Sequence, residues 1–246
     1  MVFGTYLLIY AFLYIIGYLT KAIFKTDEEK EHYWNIFTRC VSFFNAWSCI
    51  VTIYQYIIPN IGSYASLMAG GDDEFVNDLF RFSAYLFVDG IFDLSRLIKN
   101  PNTDAITSFL HHFIGGLGIF IIATHRQGLG LGAYFSATEI STPLLHISWI
   151  LYTNKINGLF TTIIFGSFYI VFTVSRILTI PLLSYYLWIN SNITATVQIF
   201  HRFMVYFGCG SLMTLNILWF IMLTIKIANL LGCLQTNKSE CKLKQE

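Results

Sequence analysis

AITSFLHHFIGGLGIFIIAT, residues 105–124, runs for the width of a bilayer's hydrocarbon core without one Asp, Glu, Lys or Arg. A helix needs about 20 mainly apolar residues to cross that core, because only a helix or a closed barrel satisfies its own backbone hydrogen bonds in lipid. The stretch therefore reads as a transmembrane helix, with two adjacent histidines, His111 and His112, inside it. Similar apolar segments lie to either side. We place spans at 3–20, 40–58, 78–98, 105–124, 129–152, 158–186 and 203–230.

This pattern predicts an all-α, polytopic transmembrane bundle of about seven helices. The composition agrees: 55% of the 246 residues are hydrophobic and 12% are charged, about half the charged share of a soluble domain. The third and fifth spans are the least apolar. Asp89, Asp93 and Arg96 interrupt one, and Glu139 and Pro143 the other, so the count falls to six if one of them does not cross. The charged stretch 21–39, the acidic stretch 60–77 and residues 190–198 read as the longer connections. Residues 1–34 are expected to hold the first span and a cytosolic loop, 35–230 the main transmembrane domain, and 231–246 a cytosolic tail. The apolar start lacks the basic flank and small-residue cleavage site of a signal peptide.

Lys and Arg set the orientation, since cytoplasmic loops carry the excess. With the N-terminus lumenal and the C-terminus cytosolic, the cytosolic side holds Lys21, Lys25, Lys30, Arg39, Arg96, Lys99, Lys155, Lys226, Lys238, Lys242 and Lys244, against Arg81, Arg126 and Arg202 opposite. Asn192 then opens a lumenal glycosylation triplet with Ile193 and Thr194. Lys242 and Lys244 stand third and fifth from the end of a cytosolic tail, as in a dilysine retrieval signal of the endoplasmic reticulum.

Several classes of function are disfavoured. A net charge of +1 with no basic patch argues against nucleic acid as a partner. No inverted repeat suggests a transporter. The five cysteines have neither metal nor disulfide-framework spacing. Gly128, Gly130 and Gly132 follow no strand and read as helix packing. Arg126 and Arg202 read as snorkelling side chains, and the tryptophans mostly as an interfacial belt.

The chemistry concentrates in intramembrane polar residues, each costing about 2.5 to 3.5 kcal/mol at the centre of a lone helix. Asp89, Asp93 and Arg96 share one helical face. Asp93 and Arg96 are placed to neutralise each other, leaving Asp89 to seek Arg176 or a histidine on another helix. His111 and His112 diverge by about 100° around their helix, so one is suited to catalysis and the other to structure, or both hold the bundle together. Glu139, Thr142 and His146 share a face, with Pro143 freeing a backbone carbonyl. These residues suggest a polar chamber inside the membrane. No spacing diagnostic of a metal site accompanies them, and no metal or cofactor is expected.

Taken together, the Asp-bearing span 85–96, Leu110-His111-His112, Glu139-Ile140-Ser141-Thr142-Pro143-Leu144, and Phe172, Arg176 and Pro181 resemble the TLC-domain family, named for translocation-associated, longevity-assurance and ceroid-lipofuscinosis homologues. The likeness covers residues 35–230. Ceramide synthases of that family are acyl-CoA-dependent N-acyltransferases, and their paired histidines fall on His111 and His112. Their following His-Asp-x-x-Asp core and Glu fall on Thr138, Glu139, Thr142 and His146, which keep one carboxylate. Glu-Ser-Thr-Pro is instead similar to the small branch that includes transmembrane protein 56. The resemblance implies a long cavity for an acyl chain, membrane lipid as partner, and a role in binding or sensing acyl lipid and in membrane lipid homeostasis. A divergent acyltransferase taking acyl-CoA, with His111 or His112 as base oriented by Asp89 or Glu139, is the enzyme alternative. A trafficking or cargo receptor is the other.

Overall fold

The apolar stretches fold into seven helical rods in a computed structural model that describes residues 2–57, 73–156, 158–189 and 199–235. The first is α1 (Val2–Thr20), followed by a short 3-10 turn, and the second is α2 (Asp27–Thr52), which runs on as a π turn to Ile57. Next come α3 (Asp73–Lys99) and α4 (Thr103–His125). The fifth rod is α5 (Leu129–Ala137), a 3-10 turn (Thr138–Ser141) and α6 (Thr142–Thr153). The sixth is α7 (Leu159–Phe172), a π turn (Thr173–Leu178) and α8 (Thr179–Ile189), and the seventh is α9 (Ile199–Gln235). Asn192, Lys242, Lys244 and most of the acidic 60–77 stretch lie outside the described residues.

Five candidate spans among the described residues are long and apolar enough to cross a membrane: Val2–Ile23, Asp27–Tyr56, Thr103–His125, Leu159–Ile189 and Ile199–Ala228. The other two rods are the ones whose charges and proline break the apolar pattern, and the fold shelters them. Helix α3 packs against α1, α2, α4 and α5, burying Leu79, Phe82, Tyr85, Leu86 and Asp93 among others. The outer rods turn Leu8, Phe12, Tyr54, Ile170 and Phe203 outward. Polar interior rods wrapped by apolar ones are what lipid as solvent demands.

Local chemistry sets the element ends. Thr26 and Glu29 form a reciprocal capping box: Thr26 Oγ1 accepts from Glu29 N and Glu29 Oε2 from Thr26 N, each at 3.1 Å. That cap starts α2 at Asp27, with acidic residues in its first turn, so much of the expected 21–39 connection is helix and Arg39 lies within it. Asn102 caps α4 by accepting from Ala105 N at 2.9 Å. The chain leaves α4 through a left-handed Arg126 (φ 50°) and enters α5 through Gly128 (φ 72°), and Arg126 pairs with Asp73 rather than simply snorkelling.

Small residues let rods approach closely, as they do between membrane helices. Ser83 donates to the Gly116 carbonyl at 2.8 Å where α3 crosses α4, and a Cβ on Gly132 would stand 3.0 Å from Leu79 Cδ1. The tightest approach is Gly17 of α1 on α2, where a Cβ would fall 2.3 Å from the Phe37 ring. That ring stacks on Trp34, so it has little room to retreat. Gly17→Ala is expected to destabilise the protein by about 1–3 kcal/mol of overpacking, outweighing the helix-propensity gain of roughly 1 kcal/mol. A lowered unfolding midpoint in detergent checks this; an unchanged or raised midpoint contradicts the packing of α1 on α2.

Both prolines of the motif region shape the backbone. Pro143 sits in the first turn of α6, where its missing N–H costs nothing. The fifth span is therefore two helices joined by a tight turn, not one helix with a freed carbonyl at its middle. Pro181 follows the π turn Thr173–Leu178. A proline ring clashes with the carbonyl four residues back, here Ile177, and a π turn relieves such a clash. The wide turn carries Arg176.

Candidate functional site

The start of α2, the end of α3, the start of α4 and the later part of α9 meet at one end of the bundle. A cavity of about 440 Å³ occupies that half, lined from α2, α3, α4, the 138–141 turn, α6, the sixth rod and α9. Its size falls within the range of about 300–1,000 Å³ for small-molecule pockets. One wall is polar. The other, from α7 and α9, is built of Phe168, Phe172, Trp219, Met222 and Leu223.

The polar wall has three hubs. His112 lies between two carboxylates, with Nδ1 2.6 Å from Asp93 Oδ2 and Nε2 3.4 Å from Asp89 Oδ2. Carboxylates only accept, so both ring nitrogens act as donors here together only as the imidazolium. Asp89 also accepts from Tyr14 at 2.5 Å and Tyr85 at 3.1 Å. Asp93 accepts from Ser108 at 2.6 Å and, more loosely, from Arg96 Nη1 at 3.4 Å.

Glu139 forms the second hub. Its Oε1 accepts from His111 Nε2 at 3.3 Å and Arg176 Nη2 at 3.1 Å, and its Oε2 from Thr142 Oγ1 at 2.5 Å. Arg176 is saturated further by Ser141, at 3.1 Å from Nε, and Asn216, at 3.4 Å from Nη1. A His111 that donates from Nε2 keeps a lone pair on Nδ1 when neutral. That atom is buried and has no hydrogen-bond partner. The two histidines thus differ: His112 is engaged at both nitrogens and His111 at one. The third hub is Arg39, whose Nη1 donates to His146 Nδ1 at 3.2 Å while its guanidinium lies 4.0 Å above the Trp149 ring.

The expected intramembrane polar residues, Asp89, Asp93, Arg96, His111, His112, Glu139, Thr142, His146 and Arg176, all line this one cavity. The expected Asp93–Arg96 contact forms. Asp89 takes His112 and not Arg176, which Glu139 claims instead. His146 turns to Arg39, away from the Glu139 hub. Other participants carry little sequence signal: Tyr14 is one of four tyrosines in an apolar span, Arg39 reads as a loop cation, and Trp219 as belt. In fact Trp219 sets its ring edge-on to His111 at 5.1 Å and donates to Thr107 at 3.1 Å. Trp34 also lines the cavity, and Trp149 carries Arg39, so the belt assignment holds best for Trp47 and Trp188, both well exposed.

One donor atom each from Asp89, Asp93 and His112 lies within 4.8 Å of the others, a spacing a metal ion could bridge. Those atoms are already committed to two tyrosines, a serine and one another, and Arg96 stands beside them. A cation entering there would displace bonds already made.

A helical membrane bundle that gathers its charged residues around one amphipathic cavity is the class of protein these features define. Residues 28–225 match the protein-family model described as TLC domain, and the chain belongs to the TLC-domain family. No curated protein and no solved structure gave a significant match.

Proposed function

We propose that the protein holds an acyl lipid in this cavity and through it influences membrane lipid composition. The observation that carries the reading is the division of the cavity into a polar wall and an aromatic and aliphatic one. An amphiphile meets both requirements, a chain against Phe168, Phe172 and Leu223 and a polar group against the hubs. Charged side chains inside a membrane protein face one another, a substrate or water, and here most of them sit on the two polar rods that pack among five helices long and apolar enough to span. Membership of the small branch similar to transmembrane protein 56 is part of the same proposal, supported by Glu139-Ile140-Ser141-Thr142-Pro143. So are a lumenal N-terminus, supported by the Lys and Arg imbalance between connections, and residence in the endoplasmic reticulum, supported by Lys242 and Lys244 of the tail.

The test is mass spectrometry of lipids that co-purify with the detergent-extracted protein, beside an unrelated membrane protein extracted in the same way. A lipid enriched on this protein and depleted on an Arg176→Met variant is the expected result. Identical lipid profiles on all three would refute the reading.

A second reading, acyl transfer, is favoured by one specific observation. His111 is anchored through Nε2 to a carboxylate, and its Nδ1 lacks a partner, which is how a general base is held. In that reading His111 would take the proton of an amine or alcohol as it attacks an acyl-CoA thioester. The ring, oriented by Glu139, would then pass that proton to the CoA sulfur as the acyl C–S bond breaks and CoA leaves as the thiol. Incubation of the purified protein with acyl-CoA and such acceptors distinguishes the readings: turnover dependent on His111 establishes the enzyme, and retained lipid without turnover establishes binding alone. Trafficking by way of Lys242 and Lys244 rests on the sequence of the tail alone.

A further inference from the structure

The charges around the cavity do not balance. Its lining carries three carboxylates, Asp89, Asp93 and Glu139, against four permanent cations, Arg39, Arg96, Arg176 and Lys226, and His112 sits between two of those carboxylates. Arg176 is fully used by Glu139 and its neighbours. The other three cations are not. Arg96 has a single 3.4 Å contact to an aspartate whose other oxygen already takes two shorter bonds, and its side chain is 63% exposed. Lys226 rests 5.2 Å above the Tyr152 ring, and Arg39 lies over Trp149. Neither Arg39 nor Lys226 makes an ion pair among the described residues.

Aromatic faces offer a cation modest relief, less than an anion would. The Arg39 and Arg96 charges also repel each other, and the carboxylate that most attracts Arg39, Asp89, is committed to His112, Tyr14 and Tyr85. Beside Arg39, His146 is largely buried and keeps its Nε2 without a partner. Accepting from Arg39 at Nδ1 puts the proton of a neutral ring on Nε2, a donor with no acceptor. A planar guanidinium, an ammonium and a spare imidazole N–H are the donors that carboxylate or phosphate oxygens take up.

Building on the lipid reading above, we propose that Arg39, Arg96 and Lys226 bind the anionic head, a carboxylate or phosphate, of a single-chain amphiphile. Its chain then runs along the wall of Phe168, Phe172 and Leu223. The cavity volume suits a head and the first part of one chain.

The experiment uses the full chain in nanodiscs of neutral phosphatidylcholine, with binding of oleate, oleoyl lysophosphatidate, 1-monooleoylglycerol and inorganic phosphate measured at fixed ionic strength. Oleate or the lysophosphatidate should bind at least tenfold more tightly than monooleoylglycerol. That ratio should fall toward one in Arg39→Gln and also in Lys226→Gln, whose exposed side chain makes misfolding a poor explanation. Equal affinities for the charged and neutral chains overturn the anion site while leaving the lipid reading intact. Inorganic phosphate binding as tightly as the lysophosphatidate overturns it in favour of a soluble anion. If no chain binds at all, both fall.

Discussion

Replacing Glu139 by Ala is expected to be the most damaging single substitution in the cavity. It leaves the Arg176 guanidinium, 5% exposed, without the one carboxylate it pairs with among the described residues and leaves Thr142 and His111 without their acceptor. Removing one partner of a buried ion pair costs about 3–5 kcal/mol. For a chain of this size that lowers the unfolding midpoint by on the order of 10 °C. The double replacement Glu139→Leu with Arg176→Met removes both charges and should recover most of the loss, since a buried pair is often no more stabilising than apolar residues of similar volume. Thermal unfolding in detergent, followed by tryptophan fluorescence, reads both. A single variant as stable as the parent would mean that Glu139 and Arg176 are not paired.

The second large effect separates the adjacent histidines. His112→Ala leaves Asp89 and Asp93, one turn apart on α3, with neutral hydroxyl donors and, as cation, the loose Arg96 contact to offset their charges. Two buried like charges so placed destabilise strongly, and a loss of about 3–5 kcal/mol is expected. His111→Ala removes one donor from a glutamate that keeps Arg176 and Thr142. The lost hydrogen bond is worth about 1 kcal/mol. His111→Ala should therefore fold, and if the protein transfers acyl groups it should lose about 10²–10⁴-fold in rate while folded. Equal destabilisation by the two substitutions would contradict the assignment of His112 to charge neutralisation.

How much of this was legible in the sequence follows from what each signal depends on. Helix number rests mostly on apolar length, and all seven rods form, five of them long and apolar enough to cross a membrane. The residues of the cavity were legible because a charge in a membrane is costly enough to need a reason, which singled out Asp89, Glu139 and Arg176. Their partners were not, because pairing depends on how rods are set against each other. Tyr14 meets Asp89 across 75 positions and Arg39 meets His146 across 107, and nothing local encodes either register. Arg39 was misplaced for a further reason: the capping box at Thr26 and Glu29 starts α2 before the apolar run begins, so a cation that looked like loop lies inside a helix. Pro143 and Pro181 were visible, but whether a proline opens a carbonyl, begins a helix or forces a π turn depends on the turn before it.

The central claim, an acyl chain inside the bundle, is tested most directly by photo-crosslinking of the unmodified protein. A fatty acid bearing a diazirine at mid-chain would be supplied to membranes containing it, irradiated, and the labelled residues located by peptide mass spectrometry. The account predicts labelling of Phe168, Phe172, Met222 and Leu223 on the cavity wall, suppressed by excess unlabelled oleate. Labelling confined to outward-facing residues such as Leu8, Phe12 and Tyr54, and unaffected by competitor, would place the chain in the surrounding bilayer and contradict it.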